Sequence, residues 1–60
     1  MKTLYQVIME IRSSGKLVVM NSFDRPKLAI NSLEFYKVHL VDLIQDEIIK
    51  LYLDTKTMEG

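Results

Sequence analysis

His39 is the single imidazole in the chain, and Asp42 lies three residues beyond it. On a helix that spacing lets the two side chains face each other. Acid-base catalysis would need such a pair to serve a nucleophile or a metal within a pocket. The sequence offers neither. There is no cysteine, and one histidine is too few for a zinc site built on several. The serines fall at structural positions: Ser13 and Ser14 in a turn, Ser22 at a strand end, Ser32 in a helical turn. No G-x-S-x-G, phosphate-binding glycine loop or H-E-x-x-H occurs. Asp46 and Glu47 are adjacent carboxylates, but they fall at a helix-to-strand junction where polar residues are expected. His39 with Asp42 therefore reads as a surface ion pair, and the chain as a non-enzyme with no catalytic, cofactor-binding or metal-ligating residue.

Other side chains are chemically conspicuous. At roughly 100° per residue, the stretch INSLEFYKVHLVDLI, Ile30 to Ile44, gathers Leu33, Tyr36, Leu40, Leu43 and Ile44 on one side. Phe35 and Val38 point nearly the other way, among Glu34, His39 and Asp42. An aromatic turned from the core has two explanations. With Asn31 as N-cap and Glu34 three residues on, Ile30 and Phe35 have the spacing of a hydrophobic staple. Alternatively, Phe35 is an anchor for a partner.

The elements that position these residues follow from periodicity. Thr3–Arg12 alternates and is β-branched, which predicts a strand. Gly15 in SSGK supplies a positive φ for a hairpin turn, and KLVVMNSF, residues 16–23, predicts an antiparallel second strand. Pro26 in DRPKLA predicts a loop. A third strand is expected from Glu47 to Lys56, with a fraying tail TMEG beyond it. The expected fold is α+β: a three-stranded antiparallel sheet with one helix, in the order β-β-α-β, with residues 1–60 forming one domain. One helix covers one sheet face. Val7, Met9, Ile11, Leu17, Val19, Ile49, Leu51 and Leu53 suit that face in one hairpin register. Leu4, Ile8, Val18, Met20, Ile48 and Tyr52 then fall on the other, and a one-residue slip would exchange members of the two sets.

Sixty residues bury only about 60% of the surface of their unfolded chain. Small folds compensate with disulfides, metals or oligomerisation, and the first two are closed here. Two apolar sheet faces and one helix likewise predict a homodimer. Eight basic residues balance eight acidic ones, at 48% hydrophobic and 27% charged. That balance disfavours a general nucleic-acid binder. No apolar run is long enough to span a membrane, and Gln6 and Glu10 interrupt what would be the apolar part of a signal peptide. The expected setting is the cytoplasm.

DEIIKLYLD, Asp46 to Asp54, resembles the C-terminal strand of a family of very small early proteins of Bacillus podophages that inhibit the host uracil-DNA glycosylase. SLEF, Ser32 to Phe35, resembles the start of that family's helix. The resemblance implies a β-β-α-β homodimer, uracil-DNA glycosylase as partner, and inhibition by DNA mimicry: acidic side chains imitate phosphates while an apolar site receives the leucine the enzyme drives into the duplex. The family phenylalanine aligns with Phe35. The chain departs from the family in placing its carboxylate before the ring, at Glu34, in having His39 near the position of a family tyrosine, in a helix about two residues longer, and in its neutral charge. The implied partner-binding set is Glu34, Phe35, Val38, His39, Asp42 and Asp46, with no direct nucleic acid, membrane or cofactor. The alternative expectation is a small dimeric nucleic-acid-binding or antitoxin-like regulator, with Lys2, Arg12, Lys16, Arg25 and Lys27 as a basic edge.

Overall fold

A computed structural model describes residues 2–59. The order is β1 (Lys2–Ile11), β2 (Lys16–Phe23), α1 (Pro26–His39), α2 (Val41–Gln45) and β3 (Ile49–Met58). The strands form one antiparallel sheet in the order β2-β1-β3, with β1 central. The expected α+β architecture is therefore present, with a short second helix added. β1 and β2 join through a four-residue turn in which Gly15 takes φ 72°. Its N–H and that of Ser14 both donate to the Ile11 carbonyl, at 2.7 and 3.2 Å.

Residues paired across strands share a face. Ile11 pairs with Lys16 and Met9 with Val18. In the other ladder Ile11 pairs with Ile49, Met9 with Leu51 and Val7 with Leu53. The helix covers the face carrying Val7, Met9, Ile11, Ile49, Leu51 and Leu53, as expected for β1 and β3. In β2 the expected parity is reversed. The four-residue turn puts Val18 on the covered face, and Leu17 and Val19 lie open at 55% and 52% exposure.

A β-bulge then changes β2 again. Val7 pairs with Asn21 but Ile8 with Val19, so Met20 is the extra residue. Beyond the bulge Asn21 and Phe23 point to the helix side, where even-numbered residues stood before it. The open face carries Leu4, Ile8, Leu17, Val19 and Tyr52, with Gln6 donating to Ser22 Oγ at 3.3 Å. Ile8 is only 4% exposed there, walled in by its partners Val19 and Tyr52.

The helix starts five residues earlier than the expected N-cap. Arg25 is extended, at φ −124° and ψ 133°, and Pro26 opens the helix. Proline disfavours helical geometry in the residue before it, yet suits the first helical position, where its missing N–H has no intrahelical partner. Asn31 and Glu34 are consequently mid-helix, and the capping box and the Ile30–Phe35 staple do not form. The earlier start also delivers Ala29, fully buried, to the sheet. Its small side chain lets α1 approach closely.

The helix breaks at Leu40, at φ −111° and ψ 23°. Neither glycine nor proline marks this position in the sequence. After α2, Asp46 is the C-cap and Glu47 adopts φ 59°. The Ile48 N–H donates to the Leu43 carbonyl at 2.9 Å and the Glu47 N–H to that of Ile44 at 3.1 Å. This pair of bonds is a Schellman motif, with glutamate at the left-handed position that usually takes glycine. β3 therefore begins at Ile49, two residues later than expected. It runs on to Met58, where Lys2 and Thr3 pair with Met58 and Thr57. Of the tail expected to fray, Thr57 and Met58 are thus strand, Glu59 has no regular structure, and Gly60 lies outside the described residues.

The protein is thin, at 39 × 23 × 10 Å, with a radius of gyration of 12.2 Å. A compact chain of this length would have about 10 Å. Its accessible surface is 4508 Å², against about 4,000 Å² for a typical monomer of its mass. Among the described residues, only Val7, Ile8, Ala29, Ile49 and Leu51 are buried hydrophobic side chains. No helix among the described residues is long and apolar enough to cross a membrane.

Replacing Glu47 with glycine removes the cost of left-handed geometry in a residue with a Cβ, offset in part by glycine's greater unfolded-state freedom. The expected net gain is about 0.5–1 kcal/mol, a rise of several degrees in midpoint for so small a domain. Thermal unfolding of both proteins at one concentration checks it.

Candidate protein-binding site

The site is organised by how α1 is rotated on the sheet. Asn21, brought to the covered face by the bulge, donates through Nδ2 to Ser32 Oγ at 3.1 Å and to Tyr36 Oη at 2.9 Å. Both acceptors are on α1, one turn apart, and the cluster is partly buried. With Ala29 against the sheet and Ser32 and Tyr36 held at Asn21, the helix has one orientation. Steps of roughly 100° then put Leu33, Tyr36 and Leu40 within about 40° of the inward direction. All three are half-buried.

The same rotation turns Phe35 and Val38 out. Phe35 is 57% exposed and Val38, the most outward apolar side chain of α1, 70%. The His39 ring lies against Phe35, centroids 4.2 Å apart and planes at 43°. Tyr36 meets Phe35 edge-on at 5.7 Å. Phe35 thus stands between a pinned tyrosine and a stacked histidine, held in place but uncovered. Aromatic contacts of this kind contribute about 0.5–1.5 kcal/mol beyond area burial. They pre-position the ring without hiding it.

Of the six residues expected to bind a partner, Phe35, Val38 and His39 come together on the outer surface of α1, with Glu34 exposed beside Phe35. Asp42 and Asp46 do not share that helix. Asp42 lies in the first turn of α2 and Asp46 caps its end, beyond the break at Leu40, and both are exposed. The break also separates His39 from Asp42, and the imidazole packs on Phe35 rather than beside a carboxylate in a continuous helix. The five cations expected as a basic edge fall into two groups. Arg12 and Lys16 flank the hairpin turn, whereas Lys2, Arg25 and Lys27 lie toward the other end of β1, a ten-residue strand about 30 Å long.

Two contributors are not apparent from the sequence. Leu28 is a half-exposed member of the Phe35 flank, two turns before it. Its spacing of seven from Phe35 identifies it once Pro26 is taken as the first residue of the helix. Asn21 carries one faint signal, an amide in an otherwise apolar strand, where asparagine is depleted. No protein-family model matches the chain, and neither does any curated protein or solved structure.

Removing the amide in Asn21→Ala, or the acceptor in Tyr36→Phe, is expected to cost about 1 kcal/mol each. The double variant should cost less than the sum, because the two groups share a bond. Val38→Ala should stay within about 0.5 kcal/mol of the parent, as surface substitutions do. Phe35→Ala should cost about 1 kcal/mol through its lost contacts with Tyr36 and His39, well below the cost of a core truncation, about 2–5 kcal/mol. Denaturant unfolding of the parent and the five variants decides both points.

Proposed function

We propose that the protein is a non-catalytic inhibitor of uracil-DNA glycosylase, acting as a homodimer in the cytoplasm of a bacterial host and covering the enzyme's DNA-binding cleft. The observation that carries this reading is Phe35, the residue aligned with the inhibitor family's phenylalanine. The fold holds its ring at the surface against Tyr36 and His39 and leaves more than half of it uncovered. A pre-positioned aromatic at a surface is the form taken by an interface anchor, since little entropy remains to be lost on binding. Val38 and His39 extend the apolar contact that would receive the leucine of the enzyme. Glu34 beside the ring, with Asp42 and Asp46 on α2, supplies carboxylates in place of DNA phosphates. An enzyme that grips a phosphate backbone offers basic and donor groups to such a mimic, and complementary charge speeds encounter. The protein itself needs no nucleic acid, membrane, cofactor or metal for this role.

Dimerisation is supported by the thin shape and by an accessible surface several hundred Å² above that of a compact monomer of this mass. Leu17 and Val19 on the open sheet face, and Phe35 and Val38 on the helix, are apolar side chains left uncovered by a single chain.

Added to a glycosylase assay on uracil-containing DNA, the protein should abolish turnover at near-stoichiometric amounts. Phe35→Ala should weaken binding by about thirtyfold or more, the cost of truncating a central anchor, and Val38→Ala by less. Full turnover with excess protein present, together with salt-sensitive binding to DNA, would favour the regulator instead. Light scattering should give twice the chain mass at micromolar concentration; a single-chain mass throughout would remove the dimer.

A further inference from the structure

An open groove of about 580 Å³ lies between the two helices and β3, on the flank of α1 away from Phe35. Its apolar lining comes from Val41, Ile44, Ile49 and Leu51, all aliphatic. Arg12, from the hairpin turn, and Lys37, from the last turn of α1, border it as cations. Glu47 is the one carboxylate among the lining residues. Lys50 also borders the groove, but its ammonium lies 6.0 Å from the centroid of the Tyr52 ring, which belongs to the open face.

We propose that this groove binds a medium-chain carboxylate, the alkyl chain on the aliphatic floor and the head group between Arg12 and Lys37. The volume is in the range of small-molecule sites, which join an apolar lining to a few polar groups. The absence of aromatic side chains from the lining suits an alkyl chain and offers nucleobases nothing to stack on. Arginine presents a planar fork matched to a carboxylate, and lysine adds a mobile point charge. The rim is anchored: the Arg12 N–H donates to the Ile48 carbonyl at 3.0 Å, tying the hairpin turn to the segment that enters β3. With Glu47 the single carboxylate among the lining residues, cations outnumber anions at the rim. The site is independent of the inhibitor reading, because it shares none of the partner-binding residues.

The test is a titration followed by the protein's amide NMR signals, using decanoate below its micelle concentration, acetate, and decyltrimethylammonium. Decanoate should shift signals of Arg12, Lys37, the α2 residues and Ile49–Leu51 saturably. Acetate should leave them unmoved, and decyltrimethylammonium should bind at least about tenfold more weakly. Lys37→Glu and Arg12→Glu are exposed substitutions whose folding the same spectra report. Each should weaken decanoate about tenfold or more, and Lys16→Glu should not. Equal binding of the two amphiphiles, shifts centred on Phe35 or the open sheet face, or unchanged affinity in folded Lys37→Glu and Arg12→Glu would overturn the proposal.

Discussion

A helix lying on a sheet can turn about its own axis until something stops it, and here the stop is one amide. Asn21 is partly buried beneath α1, and its donors must find partners there or lose the hydrogen bonds water would give. Ser32 and Tyr36 supply them, one turn apart on the helix. Apolar contact alone is a weaker constraint, because it is non-directional and the inward face of α1 is mixed. Ala29 is its only fully buried residue, while Leu33 and Tyr36 are half-buried. Fixing the rotation at Asn21 fixes everything outside it. Phe35 precedes the pinned Tyr36 by one step of roughly 100° and lies about 120° from Ala29, so it has no inward position to take. The bulge at Met20 belongs to the same device. Without the extra residue, Asn21 would fall on the open face with Leu17 and Val19.

The molecule has little else to rely on. A sheet with a single helix layer gives a thickness of 10 Å, and a core of five buried hydrophobic residues among those described leaves most apolar side chains half in water. In so thin a fold, directed hydrogen bonds and backbone geometry take a larger share in specifying one structure. Leu40 and Glu47 illustrate this. Each ends a helix in a conformation the local sequence does not favour, and each redirects the chain so that Ile44, Ile49 and Leu51 meet at the start of β3. The four most exposed large apolar side chains among the described residues fall on two surfaces, Phe35 and Val38 on the outer side of α1 and Leu17 and Val19 on the open sheet face, with the groove by β3 as a third, smaller region. Those regions are where partners or ligands gain most from removing surface from water.

Much of this was legible in the residues. Alternation in Thr3–Arg12 and Lys16–Phe23 located the first two strands almost to the residue, because β-branched alternation bounded by a glycine turn has few other solutions. The outward direction of Phe35 and Val38 followed from helical period alone. The failures share one cause, which is that they depend on tertiary pairing. Pro26 carries the same local signature as a loop residue and as a first helical residue, and the buried Ala29 decides between them. A bulge leaves no mark in β2, since Met20 is as apolar as its neighbours. The Leu40 break has no glycine or proline to announce it, so the sequence reads as one continuous helix with His39 and Asp42 on the same side.

The central claim is that Asn21 holds α1 in the one rotation that keeps Phe35 outside. A nuclear Overhauser spectrum of the protein in solution tests it most directly. The account predicts cross-peaks from the Asn21 side-chain amide protons to Ser32 and Tyr36, and from the Phe35 ring to His39, with none from the Phe35 ring to the methyl groups of Val7, Val18 or Leu51. Cross-peaks joining the Phe35 ring to those methyls, with the Asn21 amide free of α1, would contradict it.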